Sequence, residues 1–402
     1  MNTSGFWTFS SLFFSIIAVI LFSCTDRKHQ TDFSGTTIEI VNPSDDFMSF
    51  IADYDTIRLE VTNEALIDEI AMMKIMNGRF FILNISYSSV FIFTEKGKFI
   101  SKISDTGQGP NEYIHITGFE VDPVHNKILI SDEFSKKLFV YNEDGQQERI
   151  IPLYFNREHI ASDGADGFIN FFANDNERYN EPEMRKNCVH FLDKDCRFVS
   201  AQIPLKTKKI TRLSALSIDC HADGTIFYQP TLSDTIYCIK DRTVRPYYAF
   251  HNKSDYRMLS QKERKKMMLL SGERNDFKEK QNSGYIVSWG SVIDLDNYLY
   301  TIFERTEEVH LFYDKRTGKS LVIDTDKLSK DKDISNLFLR NIHCARGDVF
   351  YSSPNSYRLD KVLSDSQTLS GMPDSKLKEY LQNTNVDDNP LIISFSIKVP
   401  NR

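Results

Sequence analysis

Short stretches of alternating apolar and polar residues, separated by turn-forming residues, dominate the chain from about residue 46 onward. The clearest example is ITGFEVDPVHNKILISDEFSKKLFVYNEDGQQERIIPL at 116–153. Alternation with a period of two predicts strands with one buried face. Pro, Asn, Asp and Gly between the stretches favour reversals, and Gly145 can supply a positive φ. We therefore predict four antiparallel strands, at 116–122, 127–132, 137–142 and 147–153.

This four-stranded unit recurs along the chain. Similar stretches lie at 70–104, 168–205, 215–250, 285–323 and, in degenerate form, 337–363. Four short strands in roughly forty residues are typical of one blade of a β-propeller. The predicted fold class is therefore all-β: a six-bladed β-propeller of four-stranded antiparallel blades.

A ring of blades must also be closed, because an exposed edge strand promotes aggregation. An early strand, DTIRLEV at 55–61, and a late one, LIISFSIK at 391–398, are available for this purpose. We expect these two strands to complete one blade together.

Two stretches depart from the β pattern. Residues 255–281 are rich in Lys, Glu, Met and Leu, and Ser260 with Glu263 forms the spacing of a capping box. This pattern predicts a helical insert between the fourth and fifth blades. A second, shorter helix is predicted at 374–383.

The N-terminal region predicts export and lipid attachment. An apolar run from Phe6 to Phe22 ends in Leu21-Phe22-Ser23-Cys24, which resembles the lipobox of bacterial lipoprotein precursors. On this interpretation residues 1–23 are a signal peptide, Cys24 carries the lipid, 24–45 are a tether and 46–402 the propeller. The first residues, MNTSG, lack the usual Lys or Arg, and an uncleaved N-terminal anchor is the alternative. Both alternatives place the remaining chain outside the cytoplasm.

Composition excludes nucleic acid as the main partner. The net charge is −7, and counterion release on nucleic acid requires clustered Lys and Arg. Two short basic runs, at 206–209 and 262–266, are interpreted as a solvated loop and a solvated helix face.

Cysteine spacing indicates neither a zinc site nor a dense disulfide framework. Apart from Cys24 the chain has five cysteines, an odd number. Cys220 and Cys238 lie in strand-like runs and are expected to be small core residues. A disulfide between Cys188 and Cys196 remains open.

Several stretches together carry a family resemblance. They are TIRLEVTNEALIDEI at 56–70, VFIFTEKGKFISKISDTGQGPNEY at 90–113, SDTIYCIKDRTVRPYYAF at 233–250, YDKRTGKS at 313–320 and DDNPLIISFSIK at 387–398. In this order they resemble the six-bladed β-propeller lipoproteins of Bacteroides-type bacteria, relatives in fold of NHL-repeat propellers. The resemblance implies the propeller fold and a place in the cell envelope, at the outer membrane. It supplies no catalytic residues.

The glycine-rich stretch GQGPNEY at 107–113 looks like a ligand-binding loop but lacks the features of one. Pro110 removes a backbone donor, and a strand follows where a phosphate loop would lead into a helix. We expect the loop to turn the corner between the first two blades, with Gly107 and Gly109 permitting a sharp reversal. Glu112 and Tyr113 are expected to secure it.

Local motifs for catalysis or cofactor binding are missing from the sequence. The nine histidines are scattered, and His310 and His343 are expected to be packed within strands. The acidic stretch DTDKLSKDKD at 324–333 does not follow the EF-hand pattern and is expected to be a solvated loop. No cofactor or metal is therefore predicted.

Four residues have the chemistry of ligand contacts, since aromatic faces and a forked donor suit sugars and peptides. They are Trp289, Tyr298, Arg305 and Tyr357. The alternative for each is that it fills space between blades.

Three functional hypotheses remain. The first is a lipid-anchored, non-catalytic binding or scaffolding module for a glycan, peptide or envelope protein. The second is a metal-assisted hydrolase or lyase, which would need carboxylates or histidines from at least three blades converging at one end of the central channel. The third is a sensor or assembly subunit that docks a protein through the insert 255–281.

Overall fold

Six antiparallel sheets arranged in a ring form a β-propeller. The computed structural model describes residues 35–86, 88–154, 159–172, 181–204, 217–230, 233–260, 262–263, 279–286, 288–365, 375–383 and 388–399, with only the backbone of Ser288 and Trp289. The predicted signal peptide 1–23, the predicted lipid site Cys24 and the predicted tether up to residue 34 lie outside the described residues. The predicted fold class is confirmed.

The described part of the chain begins with β1 (Thr36–Ile40), a 3-10 turn (Met48–Phe50) and β2 (Ile51–Ile57). Blade 1 comprises β3 (Met72–Met76), β4 (Arg79–Asn84), β5 (Ser89–Thr94) and β6 (Phe99–Ile103). Blade 2 comprises β7 (Gly118–Asp122), β8 (Lys127–Asp132), β9 (Lys137–Asn142) and β10 (Gln147–Pro152). Blade 3 comprises β11 (His159–Ser162), β12 (Phe168–Phe171), β13 (Asn187–Leu192) and β14 (Phe198–Pro204).

Blade 4 comprises β15 (Ser217–Cys220), β16 (Ile226–Gln229), β17 (Thr235–Lys240) and β18 (Thr243–Asn252). A small parallel pair, β19 (Arg257–Met258) and β20 (Tyr285–Ile286), separates it from blade 5. Blade 5 comprises β21 (Ser288–Asp294), β22 (Tyr298–Glu304), β23 (Glu308–Asp314) and β24 (Lys319–Asp324). Blade 6 uses β25 (Ile342–Arg346), β26 (Val349–Ser352) and β27 (Ile392–Ile397), with β2 as its outer strand.

The four strands predicted within 116–153 are confirmed, and Gly145 in the last turn has a φ of 86°. The ring closes as predicted, because the late strand β27 pairs antiparallel with the early strand β2. The early strand spans Ile51–Ile57 rather than 55–61. In blade 3 the inner strand β11 begins before the predicted unit at 168–205.

The sixth blade differs most from its predicted extent of 337–363. That stretch supplies only β25 and β26, and the chain then leaves the sheet for about forty residues before β27. Four helices have both ends within the described residues: α1 (Pro182–Lys186), α2 (Lys332–Leu339), α3 (Ser356–Ser364) and α4 (Lys376–Gln382). The predicted helix at 374–383 corresponds to α4. None of the helices in the described ranges is long and apolar enough to span a membrane.

The predicted C-terminal end of the tether, residue 45, is wrong, because a strand already begins at Thr36. Strand β1 pairs in parallel with β18 and adds a fifth strand to the outer edge of blade 4. Ile38 and Ile40 are fully buried there, which explains why this polar-looking stretch folds onto the ring. The folded unit therefore starts at Gly35.

Most of the predicted helical insert 255–281 lies outside the described residues. At its start the predicted capping box is confirmed, because the Glu263 backbone N–H donates to Ser260 Oγ while the Glu263 carboxylate accepts from the Ser260 backbone N–H. Lys280 also lies 2.6 Å from the Glu263 carboxylate.

The core lies between neighbouring blades. Apolar faces of blades 1 and 2 meet around Phe81 and Phe139, and those of blades 5 and 6 meet around Phe312 and Phe395. Cys188 and Cys196 are not joined by a disulfide; each is a buried thiol in a different hydrophobic cluster. Cys238 is buried as expected. Cys220, the last residue of β15, is half-buried against the hydrophobic cluster between blades 3 and 4.

The loop 107–113 joins blades 1 and 2, and its predicted anchors are confirmed. Glu112 Oε2 accepts from the backbone N–H of Gly109 at 2.8 Å. Tyr113 is fully buried, and its hydroxyl donates to the Ser88 carbonyl at 2.9 Å. A side chain at Gly107 would overlap the Glu112 carboxylate, so this glycine makes room for the anchor and is not needed for a left-handed φ.

Candidate functional site

One ionisable side chain from each of the inner strands of blades 1, 2 and 3 meets at the central channel. Lys74 Nζ on β3 lies 2.8 Å from Glu120 Oε2 on β7. His159 Nε2 on β11 lies 2.9 Å from the same oxygen. All three side chains are largely buried, so the cluster joins three blades at the axis of the ring.

The electrostatics of this cluster favour a structural role. Burial alone would raise the pKa of Glu120, but the Lys74 ammonium and the hydrogen bond with His159 lower that pKa to about 2. Glu120 in turn raises the pKa of Lys74 despite burial. A carboxylate held so firmly in its charged form is a weak proton acceptor near neutral pH.

A cup of about 390 Å³ opens where the inner strands of blades 1, 4, 5 and 6 end. Asp219 Oδ2 accepts from the backbone N–H of Asp294 at 2.7 Å and lies 3.1 Å from His221 Nε2. Asp294 accepts from the Tyr248 hydroxyl and from Lys315, both at 2.9 Å. Asp219 and Asp294 are thus already engaged by partners within the ring.

The cup can still hold a proton. Burial raises the pKa of Asp294 above its ordinary range. Burial would lower the pKa of His221, but its hydrogen bond to Asp219 raises that pKa instead. These shifts favour the protonated forms of both His221 and Asp294. Burial raises the pKa of the adjacent Cys220 thiol well above its usual range, which makes it unreactive.

The metal-dependent hypothesis finds no support in the described residues. No group of three or more His, Cys, Asp or Glu side chains within them is arranged to hold a metal ion. Glu120 and His159 converge from only two blades, and the third member of their cluster is a lysine.

A larger groove lies at the opposite ends of the inner strands β3 and β25. Its volume is about 690 Å³. The helices α3 and α4 of the long connection in blade 6 form one side, and residues 67–70, which lead into blade 1, form the other. Leu359 and Leu363 give the groove an apolar wall, and the Tyr357 side chain is 71% exposed beside them.

The local sequence explains why helices build this groove. Asn355 caps α3 by accepting from the Arg358 backbone N–H, and Ser375 caps α4 by accepting from the Lys378 backbone N–H. Leu377, Tyr380 and Leu381 bury the inner face of α4. The caps and the buried face of α4 therefore hold the two helices in place along one side of the groove.

The groove is acidic. Four carboxylate residues, Asp68, Glu69, Asp360 and Asp388, line it, and its described lining contains no Lys or Arg. Arg58 lies outside the lining and contacts Asp388 at 3.5 Å. Exposed carboxylates beside an aromatic ring can accept hydrogen bonds and attract cations.

Of the predicted ligand contacts, only Tyr357 lies in this groove. Tyr298 is buried between blades 5 and 6, where its hydroxyl donates to the Ile397 carbonyl at 3.1 Å. Arg305 forms an ion pair with Asp324 at 2.9 Å. Both residues make contacts within the fold, which agrees with the alternative that they fill space between blades. The side chain of Trp289 and the whole of Cys24 lie outside the described part of the chain.

Other predicted features also change role. Asp324 is fully buried and accepts from the Tyr256 hydroxyl, and α2 begins at Lys332, so 324–333 is not simply a solvated loop. His310 is fully buried within β23, as expected. The channel cluster of Lys74, Glu120 and His159 was missed because its members lie on three separate repeats. A charged residue in the middle of an apolar inner strand is the signal that could have identified it.

Comparisons with known proteins agree with this architecture. One solved structure, a Bacteroides fragilis protein predicted to be exported, superposes with a TM-score of 0.76 at 18% identity, covering 90% of this chain and 100% of that one. A Bacteroides vulgatus member of the DUF4221 family superposes with a TM-score of 0.53 at 12% identity, covering 88% and 98%. A comparison with curated proteins found no match.

At these identities the two structures show the fold alone. The sequence match is more specific, because it extends over residues 36–396 and so includes all six blades, the channel cluster and the groove. The chain belongs to the family described as Domain of unknown function (DUF4934).

Proposed function

We propose that this protein is an exported, lipid-anchored propeller that binds an envelope polymer, a peptide or a glycan, without catalysing its conversion. The observation that carries the proposal is the groove of blade 6, where the exposed Tyr357 stands beside an apolar wall and several carboxylates. An exposed aromatic ring with adjacent polar acceptors suits recognition of an extended ligand.

The channel supports the non-catalytic part of the proposal. Lys74 and Glu120 are paired with each other, Asp294 is held by Tyr248 and Lys315, and Asp219 accepts from a backbone N–H. Such saturated networks stabilise a ring but leave few groups in position to act on a substrate.

The proposed export and lipid attachment rest on the N-terminal sequence and on a similar fold, not on the groove or the channel. The apolar run before Leu21-Phe22-Ser23-Cys24 supplies the signal, and the similar fold of the B. fragilis protein agrees with an exported chain. We include the cell envelope, at the outer membrane, in the proposal on this basis.

The test uses the chain from Gly35 onward, which contains both closing strands and hence the whole ring. Peptide and glycan arrays are probed with the wild type, Tyr357→Ala and Tyr154→Ala. Tyr154 is a stringent control because it is also 71% exposed but lies outside the groove. We expect Tyr357→Ala alone to weaken the strongest binding about tenfold or more, as truncation of an aromatic anchor does.

The rival activity is measured in parallel on lactone and glycan substrates. Turnover that disappears in His221→Ala, with binding unaffected by Tyr357→Ala, would overturn the proposal and favour an enzyme acting at the cup.

A further inference from the structure

Exposed apolar side chains are concentrated on the face of the propeller that carries the groove. Eight large apolar side chains are exposed in the described ranges: Val61, Leu66, Ile85, Ile114, Phe134, Tyr154, Val199 and Tyr357. Six of them, all but Val61 and Val199, lie in loops or helices at the ends where the inner strands begin. Scattered exposed apolar residues need no explanation, but clustering on one face marks an interaction surface.

Five of the six lie on three neighbouring blades, 6, 1 and 2: Tyr357, Leu66, Ile85, Ile114 and Phe134. Tyr357 and residues 67–70 line the same groove, and Leu66 directly precedes these residues in the sequence. Asp68 then accepts from the Asn84 side chain, next to Ile85. We call this set of five residues the apolar strip.

The second half of the strip is joined by contacts between blades 1 and 2. Ser88, whose backbone N–H donates to the Ile85 carbonyl, lies 2.6 Å from His115 through its hydroxyl. The His115 ring meets the Phe134 ring edge-on, with centroids 6.5 Å apart. Asp132 fixes both Ile114 and Phe134 by accepting from their backbone N–H groups at 2.8 and 2.9 Å. The strip is therefore held by the fold and is not a set of loose loop ends.

We propose that the apolar strip docks an extended segment of a protein partner that carries basic as well as apolar side chains. This inference rests on the proposed function and names the ligand of the groove as a polypeptide. Along the strip the exposed charges are mainly acidic, with Asp68, Glu69, Asp360 and Glu133 against Lys136 and Lys361. Charge complementarity therefore selects a partner with Lys or Arg.

The charges along the strip argue for a protein rather than the lipid leaflet as the occupant. Exposed carboxylates are not attracted to the anionic surface of a leaflet, whereas Lys and Arg on a polypeptide can pair with them.

The test separates the strip from the groove. Phage-displayed peptides of about twelve residues are selected on the chain from Gly35 onward, and the strongest binder is measured by fluorescence anisotropy. The test variant, Ile114→Ser with Phe134→Ser, changes two exposed residues outside the groove. The control is Val199→Ser, since Val199 and Ile114 are 48% and 47% exposed.

We expect selected peptides to combine Lys or Arg with aromatic or aliphatic residues, and to bind more weakly as salt increases. The double variant should weaken binding about tenfold, and Val199→Ser should leave it unchanged.

Three results would overturn the inference. If Tyr357→Ala removes binding but the double variant does not, the groove acts alone and the proposed function survives. If neither variant changes the binding of any peptide, both proposals fail. If the chain binds phosphatidylethanolamine–phosphatidylglycerol vesicles and the double variant loses this, the strip is a membrane surface.

Discussion

Thr56 lies opposite Ile393 in the register of β2 and β27, although the two residues come from opposite ends of the folded chain. This pairing closes the ring, because β2 becomes the outer strand of a blade whose other strands all come from the C-terminal part. The same blade carries the helices that build the groove. Closure and the candidate binding site therefore depend on one sheet.

Replacing Phe395 should test how much this closing blade stabilises the fold. Its ring is almost fully buried and packs against Phe47, Phe338 and Phe350. Phe395→Ala should lower the free energy of unfolding by about 3–5 kcal/mol because it leaves a cavity. Urea denaturation measures the change. Phe134→Ala is the control, since its ring is exposed and its loss should cost less than about 0.5 kcal/mol; equal effects would contradict closure through this core.

The channel cluster should give stability a defined dependence on pH. The pKa of Glu120 is lowered to about 2 in the folded chain from an ordinary 4.5, so the unfolded chain takes up a proton first as pH falls. Stability from this carboxylate is complete above about pH 4.5 and is lost as pH falls towards 2. Glu120→Gln should flatten this part of the pH profile in chemical denaturation.

Glu120→Gln should also destabilise the protein at pH 7, by about 3–5 kcal/mol, because it leaves Lys74 buried without its carboxylate. The double variant Lys74→Met with Glu120→Leu removes both charges and should recover much of this loss. If the double variant is as unstable as Glu120→Gln, the cluster stabilises the fold through the shape of its side chains and not through their charges.

A side chain at position 107 should displace the Glu112 carboxylate from its place in the crossover loop. Gly107→Ala places its Cβ against the Glu112 carboxylate and should cost about 1–3 kcal/mol. Adding Glu112→Ala removes the overlap, so the double variant should be more stable than Gly107→Ala alone in thermal denaturation. At Gly290 an added Cβ meets nothing within 4 Å, and Gly290→Ala is the control.

Lipid attachment at Cys24 is tested independently of the fold. In a Bacteroides host, Cys24→Ser should abolish incorporation of labelled palmitate and move the protein from the membrane to the soluble fraction. The Cys238→Ser variant controls for loss of a thiol. Palmitate labelling that persists in Cys24→Ser would contradict the lipobox interpretation.

Regular alternation in the sequence was sufficient to predict the ring but not its specialised parts. The four strands of blade 2 follow the period of two closely, because each has one buried face and a turn rich in Gly, Pro, Asn or Asp. Blade 6 could not be predicted correctly, since a helical connection interrupts it between Ser352 and Ile392. Local propensity cannot show which distant strand will fill the gap.

The candidate site, too, could be predicted only in part from the sequence. Tyr357 was predicted as a ligand contact from its chemistry alone, whereas Tyr298 and Arg305, equally suitable by type, are used within the fold. Exposure separates them, and exposure depends on contacts between residues far apart in sequence. The strip was not predicted for the same reason, because its members lie on three blades.

Hydrogen–deuterium exchange with the selected peptide bound locates the ligand on the whole chain at once and so tests binding at the groove. We expect slowed exchange in α3, Ser356–Ser364, and in residues 66–70, with no change around the cup at 219–222. Slowed exchange at 219–222 and 294–296, with α3 unaffected, would place the ligand at the channel and contradict binding at the groove.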